Sequence, residues 1–230
     1  MIDATIIYYT NNVQDPEFEK IVQKKLIESS KGMPIISVSH KPIDLGTNIC
    51  VGEQHSCDAN LYRQILIGAE AAKTPFIINA EADTLYPPEY FEFEPPRLDL
   101  IYRYTNVYIY SPHHRRFYKK KMSEGAQIAG REYLIDLLSH RMKTQNIPYW
   151  SKEGDQKFKN PYPKSGKVWE PYWKEHPDIK SVVEPYESEN PVVSIKATGN
   201  MRKRSTWDKT VAPVYEVPYW GHAEGFSWVT

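Results

Sequence analysis

The first 80 residues alternate between apolar runs of strand length and segments with helical spacing, and this rhythm limits the fold more than any other feature. The predicted order is a strand at 4–9, a helix from Pro16, a strand at 34–38, a helix at 58–72 and a strand at 76–79. Asp15 before Pro16 is a typical helix start. Residues 39–56 are predicted to be a connecting loop. Because short connections join the strands through helices, we expect a mostly parallel α/β sheet with right-handed crossovers.

Two carboxylates follow directly on the third predicted strand. Glu81 and Asp83 are two positions apart, and Pro87-Pro88 stops the extended segment beyond them. Alternate side chains of an extended segment face the same side, so Glu81 and Asp83 can converge on one hard cation. Open α/β sheets bind ligands at the carboxyl ends of their strands, which predicts a metal-linked, phosphate-bearing substrate. The alternative interpretation is a solvated acidic loop after a core strand.

The bulk composition limits the kinds of partner. Lys plus Arg and Asp plus Glu both number 29, so no global field marks a binder of nucleic acid or of membrane surfaces. The two cysteines, Cys50 and Cys57, argue against a disulfide scaffold or a structural zinc site and suit a reducing compartment. No apolar run approaches the roughly 20 residues that cross a bilayer, and no secretory leader is evident. We therefore expect a soluble, cytoplasmic protein without a membrane partner.

The second half of the chain is less regular. Strands are predicted at 100–104, 107–110 and 192–196, and a helix at 131–142. Residues 146–186 are rich in Pro, Trp, Tyr and Lys without regular spacing, and we interpret them as long aromatic-rich loops. No internal repeat or low-complexity linker favours a domain boundary, so residues 1–230 are predicted to form one domain.

Taken together, these segments resemble the nucleotide-sugar-dependent glycosyltransferases of the GT-A fold, particularly the compact members related to glycosyltransferase family 2 in phages and bacteria. Residues 8–12, Tyr-Tyr-Thr-Asn-Asn, look like the segment that cups the nucleoside in this family. The predicted helix at 61–73 is similar to the run that precedes the family's metal motif. Glu81-Ala82-Asp83 stands where the family has Asp-x-Asp, and prolines follow it as they often do there. The resemblance is strongest over residues 4–91.

The resemblance implies a GT-A, Rossmann-like sheet in which residues 1–95 bind the nucleotide sugar and residues 96–230 bind the acceptor. It also implies a set of nucleotide-sugar-binding residues: Tyr9, Thr10, Asn11, Arg63, Glu81, Ala82, Asp83, Lys196 and Arg202.

A divalent cation, Mn²⁺ or Mg²⁺, is the cofactor that the resemblance implies, because negative charge builds on the leaving diphosphate. Its implied ligands are Asp83, Glu81 and His222. Glu81 is one methylene longer than the family's Asp, so a contact through water or to the ribose is an alternative to direct ligation. His222 lies in a segment, residues 221–225, that resembles the family's carboxy-terminal loop, whose His closes the metal site. The alternative for His222 is a structural hydrogen bond.

Inverting members of the family use a carboxylate as the general base that deprotonates the acceptor hydroxyl. Asp155 and Glu153 are the candidates for this catalytic role. They lie in residues 151–157, which resemble the family's Glu-Asp acidic loop with a Gly interposed. The alternative is a solvated surface loop.

Two basic segments are candidates for phosphate contacts. Lys196 and Arg202 follow the last predicted strand and are placed to clamp a diphosphate beside the metal. The run at 113–121 interleaves cations with aromatic residues, a composition typical of nucleic-acid contact. Its candidate contacts are Arg115, Arg116, Lys119, Lys120 and Lys121. A solvated basic surface is the alternative for both segments.

The sequence therefore predicts a metal-dependent glycosyltransferase that moves a sugar from a nucleotide-diphosphate donor, a UDP-sugar by preference, to an acceptor hydroxyl. The resemblance to phage enzymes makes a hydroxymethylated DNA base one candidate acceptor and the host cytoplasm the expected setting. One alternative is a nucleotidyltransferase, although such enzymes usually carry a Gly-rich basic loop where this chain has residues 9–12. The other is a non-enzymatic nucleic-acid-binding accessory protein that uses the basic run.

Overall fold

A computed structural model describes residues 2–54, 58–120, 123–144, 183–196 and 208–229. The strands are β1 Ala4–Thr10, β2 Ile35–Ser39, β3 Thr47–Cys50, β4 Phe76–Glu81, β5 Thr84–Leu85, β6 Ile101–Tyr104, β7 Val107–Ser111, β8 Arg116–Lys119, β9 Gln127–Gly130, β10 Val183–Tyr186, β11 Val192–Ile195, β12 Glu216–Val217 and β13 Gly221–His222. The helices are α1 Pro16–Ser30, α2 Asp58–Ala71, α3 Pro88–Glu92, α4 Arg131–Thr144 and a 3-10 helix at Ala223–Phe226. No helix among these ranges has the length and apolar character required to cross a membrane.

A seven-stranded sheet in the order β10-β6-β9-β4-β1-β2-β3 forms the centre of the fold. The β1–β2, β1–β4, β2–β3 and β6–β10 pairs are parallel, while β9 runs antiparallel to both β4 and β6. This arrangement confirms the predicted α/β class with a mostly parallel sheet. Strands from both predicted halves, 1–95 and 96–230, contribute to this one sheet.

Alternation along β1 assigns its side chains to the two faces of the sheet. Ile7 and Tyr9 belong to a buried cluster with apolar residues of α2 and α4. Ile6 and Tyr8 belong to a second cluster with residues of α1 and α3. All seven residues of β1 are buried, as expected of a central strand covered by helices on both faces.

A second, four-stranded sheet has the order β5-β11-β7-β8. Two residues separate the end of β4 at Glu81 from the start of β5 at Thr84, so the chain passes from the main sheet to the second sheet at residues 82–83. The segment through Glu81 and Asp83 therefore contains a turn, and the prediction that it is continuously extended is wrong. The second sheet brings residues that are far apart in sequence towards the end of β4.

Several predicted loops contain strands. β3 lies within residues 39–56 and β10 within residues 146–186, while β12 and β13 follow the last predicted strand. β9 was also missed. Each of these strands has four residues or fewer, too short for alternation to be visible. β3 depends instead on a side chain, because Asn48 Nδ2 donates to Ser37 O at 3.2 Å and to Ser39 Oγ at 2.9 Å.

The start of α1 follows the sequence signal. The Asp15 carboxylate accepts hydrogen bonds from the backbone N–H groups of Glu17 and Phe18, both at 3.0 Å, and Pro16 occupies the first turn. Lys31 ends the helix in the left-handed region, with φ 51°. This helix places Glu19 against β1, where it accepts a hydrogen bond from Tyr8 Oη at 2.8 Å.

Candidate active site

Glu81 is the last residue of β4, beside the central strand β1. Its partner in the β1–β4 register is Tyr9, whose hydroxyl donates to Glu81 Oε1 at 3.2 Å. Its backbone N–H donates to Tyr86 Oη at 2.9 Å, and that hydroxyl donates in turn to Gly125 O at 2.7 Å. Glu81 is thus held by β1 through its carboxyl group, and by the loop before β9 through its backbone N–H and Tyr86.

Gly125 leaves the space that the Glu81 carboxyl group occupies. A Cβ at this position would lie 2.3 Å from Glu81 Cδ and 2.5 Å from Oε2, much closer than van der Waals contact. Burial raises the pKa of Glu81, and the nearby charge of Asp83 raises it further. The opposing effects of Lys120, Lys196 and the Tyr9 hydrogen bond are smaller.

Asp83 lies in the turn between the two sheets and contacts β11. Lys196, the residue after β11, places its Nζ 3.5 Å from Asp83 Oδ2. The Thr84 hydroxyl donates to the other carboxylate oxygen, Oδ1, at 3.1 Å. The Ile195 N–H donates to Asp83 O at 2.6 Å, which fixes the approach of Lys196. The Asp83 and Lys196 side chains are only 15% and 21% exposed, so this ion pair is partly shielded from water.

Lys120 supplies a second ammonium group on the Glu81 side. It follows β8, and its Nζ donates to Ser123 Oγ at 3.1 Å, two residues before Gly125. Gly125 borders the Glu81 carboxyl group, and the charge of Lys120 lowers the pKa of Glu81. Two carboxylates and two ammonium groups therefore meet at the end of β4, and their formal charges cancel.

The oxygen donors of Glu81 and Asp83 fit Mg²⁺ or Mn²⁺, because such ions need only one or two protein carboxylates when phosphates and water complete their shell. Over the described ranges, no group of three or more His, Cys, Asp and Glu side chains is placed to hold a metal ion. The described part of the site would thus supply two carboxylate ligands, Glu81 and Asp83, which are called the carboxylate seat below. The remaining ligands would come from the substrate.

His222 does not join the two carboxylates. It precedes the 3-10 helix, where its Nδ1 accepts the Glu224 N–H at 3.3 Å. Its ring stacks on Tyr215, with centroids 6.1 Å apart and planes 6° from parallel. These contacts give His222 the structural role of a helix cap; among the described residues it forms no metal-holding group with Glu81 and Asp83, and its role as a ligand stays a prediction.

The predicted nucleoside segment is held by α2. Thr10 is buried; its hydroxyl oxygen accepts the Asn12 N–H at 3.0 Å, and its carbonyl accepts Gln64 Nε2 at 2.8 Å. Gln64 also donates to Val38 O at 2.9 Å and so joins the ends of β1 and β2, a role that the sequence did not indicate. Asn11 Oδ1 accepts the N–H of Val13 at 3.3 Å, within its own turn.

Arg63, the other predicted nucleotide contact on α2, is one of the most deeply buried side chains of the described structure. It is 1% exposed and donates to Asn60 Oδ1 at 2.9 Å. In this structure it is an internal cation rather than an open ligand contact. Ala82 is buried in the turn between Glu81 and Asp83.

The basic run does not form one exposed strip. Arg115 is exposed, but the Arg116 guanidinium lies over the Tyr215 ring, 4.6 Å from its centroid. Lys119 donates to Asn106 Oδ1 at 2.9 Å, and burial lowers its pKa. Lys120 belongs to the carboxylate site. Arg116, Lys119 and Lys120 are half-buried because β8 is paired within the second sheet, and the nucleic-acid contact stays a prediction.

Some predicted residues lie outside the described ranges and remain predictions. These are the candidate bases Asp155 and Glu153, the candidate phosphate contact Arg202 and the last cation of the basic run, Lys121.

Gly125, Tyr86 and Ser123 were not identified from the sequence. Gly125 and Ser123 lie in a loop that has no motif, and Tyr86 lies after the acidic motif, where only the prolines were a sequence signal. Their roles depend on β9 returning beside β4, a pairing between residues about fifty positions apart in the chain.

No protein-family model and no curated protein matches the sequence. Among solved structures, a glycosyltransferase involved in the glycosylation of the major capsid of PBCV-1 is 11% identical, with 81% of this chain and 82% of that chain covered and a TM-score of 0.45. The catalytic domain of Drosophila beta1,4galactosyltransferase 7, in complex with xylobiose, is 13% identical, with 80% and 65% covered and a TM-score of 0.43.

S. aureus TarS 1-349 in complex with UDP-GlcNAc is 8% identical, with 86% of this chain and 60% of that chain covered and a TM-score of 0.46. This chain thus spans less than two thirds of the second and third of these structures.

Proposed function

We propose that the protein is a metal-dependent glycosyltransferase that uses a nucleotide-diphosphate sugar. The observation that supports this proposal is the placement of Glu81 and Asp83 at the carboxyl end of β4, with the Lys196 ammonium group 3.5 Å from Asp83 and Lys120 hydrogen-bonded to Ser123 in the loop that borders Glu81. Two carboxylates provide a seat for a divalent cation, and two ammonium groups provide direct contacts for phosphate oxygens. Because the formal charges of these four side chains sum to zero, the site suits a divalent cation bound to a diphosphate, whose combined charge is also close to zero.

The roles of the chain's own residues follow from their positions. Asp83 and Glu81 would hold Mg²⁺ or Mn²⁺, which when bound stabilises the charge that develops on the leaving diphosphate. Tyr9 orients the Glu81 carboxyl group through its hydrogen bond. Lys196 and Lys120 would bind phosphate oxygens and so keep the leaving group in place. Proton removal from the acceptor hydroxyl remains assigned to Asp155 or Glu153.

The finer features of the proposal are the donor base, the acceptor and the setting. A UDP-sugar is the proposed donor, and a hydroxymethylated base of phage DNA is the proposed acceptor, with the host cytoplasm as the setting. The exposed part of the basic run, His113, His114 and Arg115, is available for a contact with the DNA backbone. A buried base would have to be extruded from the duplex to reach the sugar carbon.

The experiment is a thermal-unfolding panel of UDP- and GDP-sugars, each with Mn²⁺ or with EDTA. Saturation at a hundredfold excess over Kd adds about 2.7 kcal/mol of stability, so a true donor should raise the Tm by roughly 5–10 °C in a domain of this size. We expect the rise to require Mn²⁺ and to be lost in Asp83→Asn. Asp3→Ala is the matched control, because Asp3 is an exposed carboxylate at the opposite end of the central strand.

Two results would count against the proposal. A donor-induced rise that is the same in Asp83→Asn and in EDTA would show that the carboxylate seat is not used. Release of pyrophosphate from a nucleoside triphosphate and a sugar phosphate, without release of a nucleoside diphosphate from any nucleotide sugar, would favour the nucleotidyltransferase alternative.

A further inference from the structure

In this structure, a lysine side chain of the protein contacts one of the two carboxylates that are proposed to bind the metal ion. Lys196 Nζ lies 3.5 Å from Asp83 Oδ2, and both side chains are mostly buried. The contact follows from the two neighbours of β11: on the β5 side the Ile195 N–H donates to Asp83 O at 2.6 Å, and on the β7 side the Lys196 N–H donates to Tyr110 O at 3.1 Å. The backbone therefore delivers this ammonium group to the carboxylate that is proposed to bind the metal.

The two oxygens of Asp83 have different partners. Oδ1 accepts the Thr84 hydroxyl at 3.1 Å, whereas Oδ2 faces Lys196. A charge-assisted N–H···O contact is usually about 2.7–2.9 Å long, so the Lys196 contact is a loose one. Thr84 can keep the carboxylate oriented while Oδ2 changes its partner from the ammonium group to another cation.

Charge balance determines when Asp83 Oδ2 exchanges Lys196 for a metal ion. Without ligand, Lys196 and Lys120 compensate Asp83 and Glu81, which limits the cost of keeping two carboxylates close together in a partly buried site. A divalent cation alone would add two positive charges to this neutral set. A cation that arrives with a diphosphate brings its own compensation and offers phosphate oxygens to the displaced ammonium groups.

We propose that Lys196 is a placeholder for the divalent cation. It occupies Asp83 Oδ2 in the donor-free protein and moves to a phosphate oxygen when the metal and the diphosphate enter together. The chain thereby disfavours metal binding without a donor. This inference rests on the proposed function, because it assumes that Glu81 and Asp83 form the metal seat.

The test measures Mn²⁺ binding by the loss of the free-ion EPR signal, with Mn²⁺ alone and with Mn²⁺ plus inorganic pyrophosphate. Pyrophosphate is chosen because its binding does not depend on the donor base. For Lys196→Met we expect Mn²⁺ alone to bind about fivefold more tightly than to the wild type, the equivalent of one ion pair that is not fully buried. In the same variant, pyrophosphate with Mn²⁺ should bind about tenfold more weakly.

Two further variants control for charge and folding. Lys196→Arg keeps the positive charge and should not tighten the binding of Mn²⁺ alone. Lys20→Met removes an exposed lysine of α1 that pairs with Glu17 at 2.8 Å, and both affinities should stay at the wild-type values. Far-UV circular dichroism of each variant shows whether it is folded.

Unchanged or weaker binding of Mn²⁺ alone by a folded Lys196→Met variant would overturn the proposal that Lys196 is a placeholder for the metal ion. That result would leave the proposed function intact if Asp83→Asn still abolished binding of Mn²⁺ with pyrophosphate. If Asp83→Asn had no effect on any of these affinities, the metal seat itself would be wrong, and the proposed function would fail together with the placeholder.

Discussion

The substitution Gly125→Ala tests whether the position of the Glu81 carboxyl group matters for function. The added Cβ would lie 2.3 Å from Glu81 Cδ, whereas ordinary contact begins at 3.4 Å, so the carboxyl group must retreat by about 1 Å. Gly125 has no positive φ, so the substitution acts through this contact rather than through backbone strain. Its neighbour is the far end of a side chain and can move.

The expected outcome separates binding from stability. Overpacking of this kind costs about 1–3 kcal/mol, and we expect the low end of that range because Glu81 can rotate away. Disturbing the groups that position a metal ligand costs about 10–100-fold in metal affinity, and we expect a loss of that size in the affinity for Mn²⁺ with pyrophosphate. Calorimetric titration measures the affinity, and urea unfolding measures the stability.

Two matched variants sharpen this prediction. Gly225→Ala adds the same methyl group in open space, within the 3-10 helix, and should change neither quantity. Glu81→Asp combined with Gly125→Ala shortens the displaced side chain by one methylene and should recover part of the affinity. Wild-type affinity in Gly125→Ala alone would refute the inferred position of the Glu81 carboxyl group.

Two other predictions concern stability. Burial and Asp83 raise the pKa of Glu81 above its ordinary 4.5, so the folded state holds this proton more tightly than the unfolded state does. In the metal-free protein Glu81 should therefore contribute a loss of stability as the pH rises above about 4.5. Urea unfolding from pH 4 to 8 should show the stability of Glu81→Gln rising relative to that of the wild type. An equally steep loss in Glu81→Gln would contradict this. In Gly130→Ala, the new Cβ would lie 1.7 Å from the backbone oxygen of Leu98, which cannot rotate away. We therefore expect this variant to be destabilised by more than about 3 kcal/mol. A Tm within about 2 °C of the wild type would contradict the position of β9.

The sequence predicted the parts of the fold that depend on local signals. Asp15 and Pro16 fixed the start of α1 because capping is decided within four residues. The strand that carries Glu81 was recognised from its apolar run, although it extends to Glu81 rather than ending at residue 79. β3 was predicted as loop because its pairing depends on Asn48 and on β2, neither of which imposes alternation on the segment.

The candidate site was predicted less completely, for a physical reason. Glu81 and Asp83 are two positions apart in the sequence, so the sequence alone predicted that they lie close together. The turn at residues 82–83 replaces the extended geometry that the sequence also predicted. Lys120 was assigned to a nucleic-acid surface because only the pairing of β8 with β7 turns it towards Glu81. Gly125 acquires its role only when β9 returns beside β4.

The central claim is that Glu81 and Asp83 hold a divalent cation beside a diphosphate. Anomalous diffraction from a crystal soaked in Mn²⁺ and pyrophosphate locates the metal without reference to any activity. We expect one anomalous peak in direct contact with Asp83 Oδ2 and with pyrophosphate oxygens, and Lys196 Nζ moved from Asp83 to a phosphate oxygen. A peak bound elsewhere in the protein, with the contact between Asp83 and Lys196 intact, would contradict the claim.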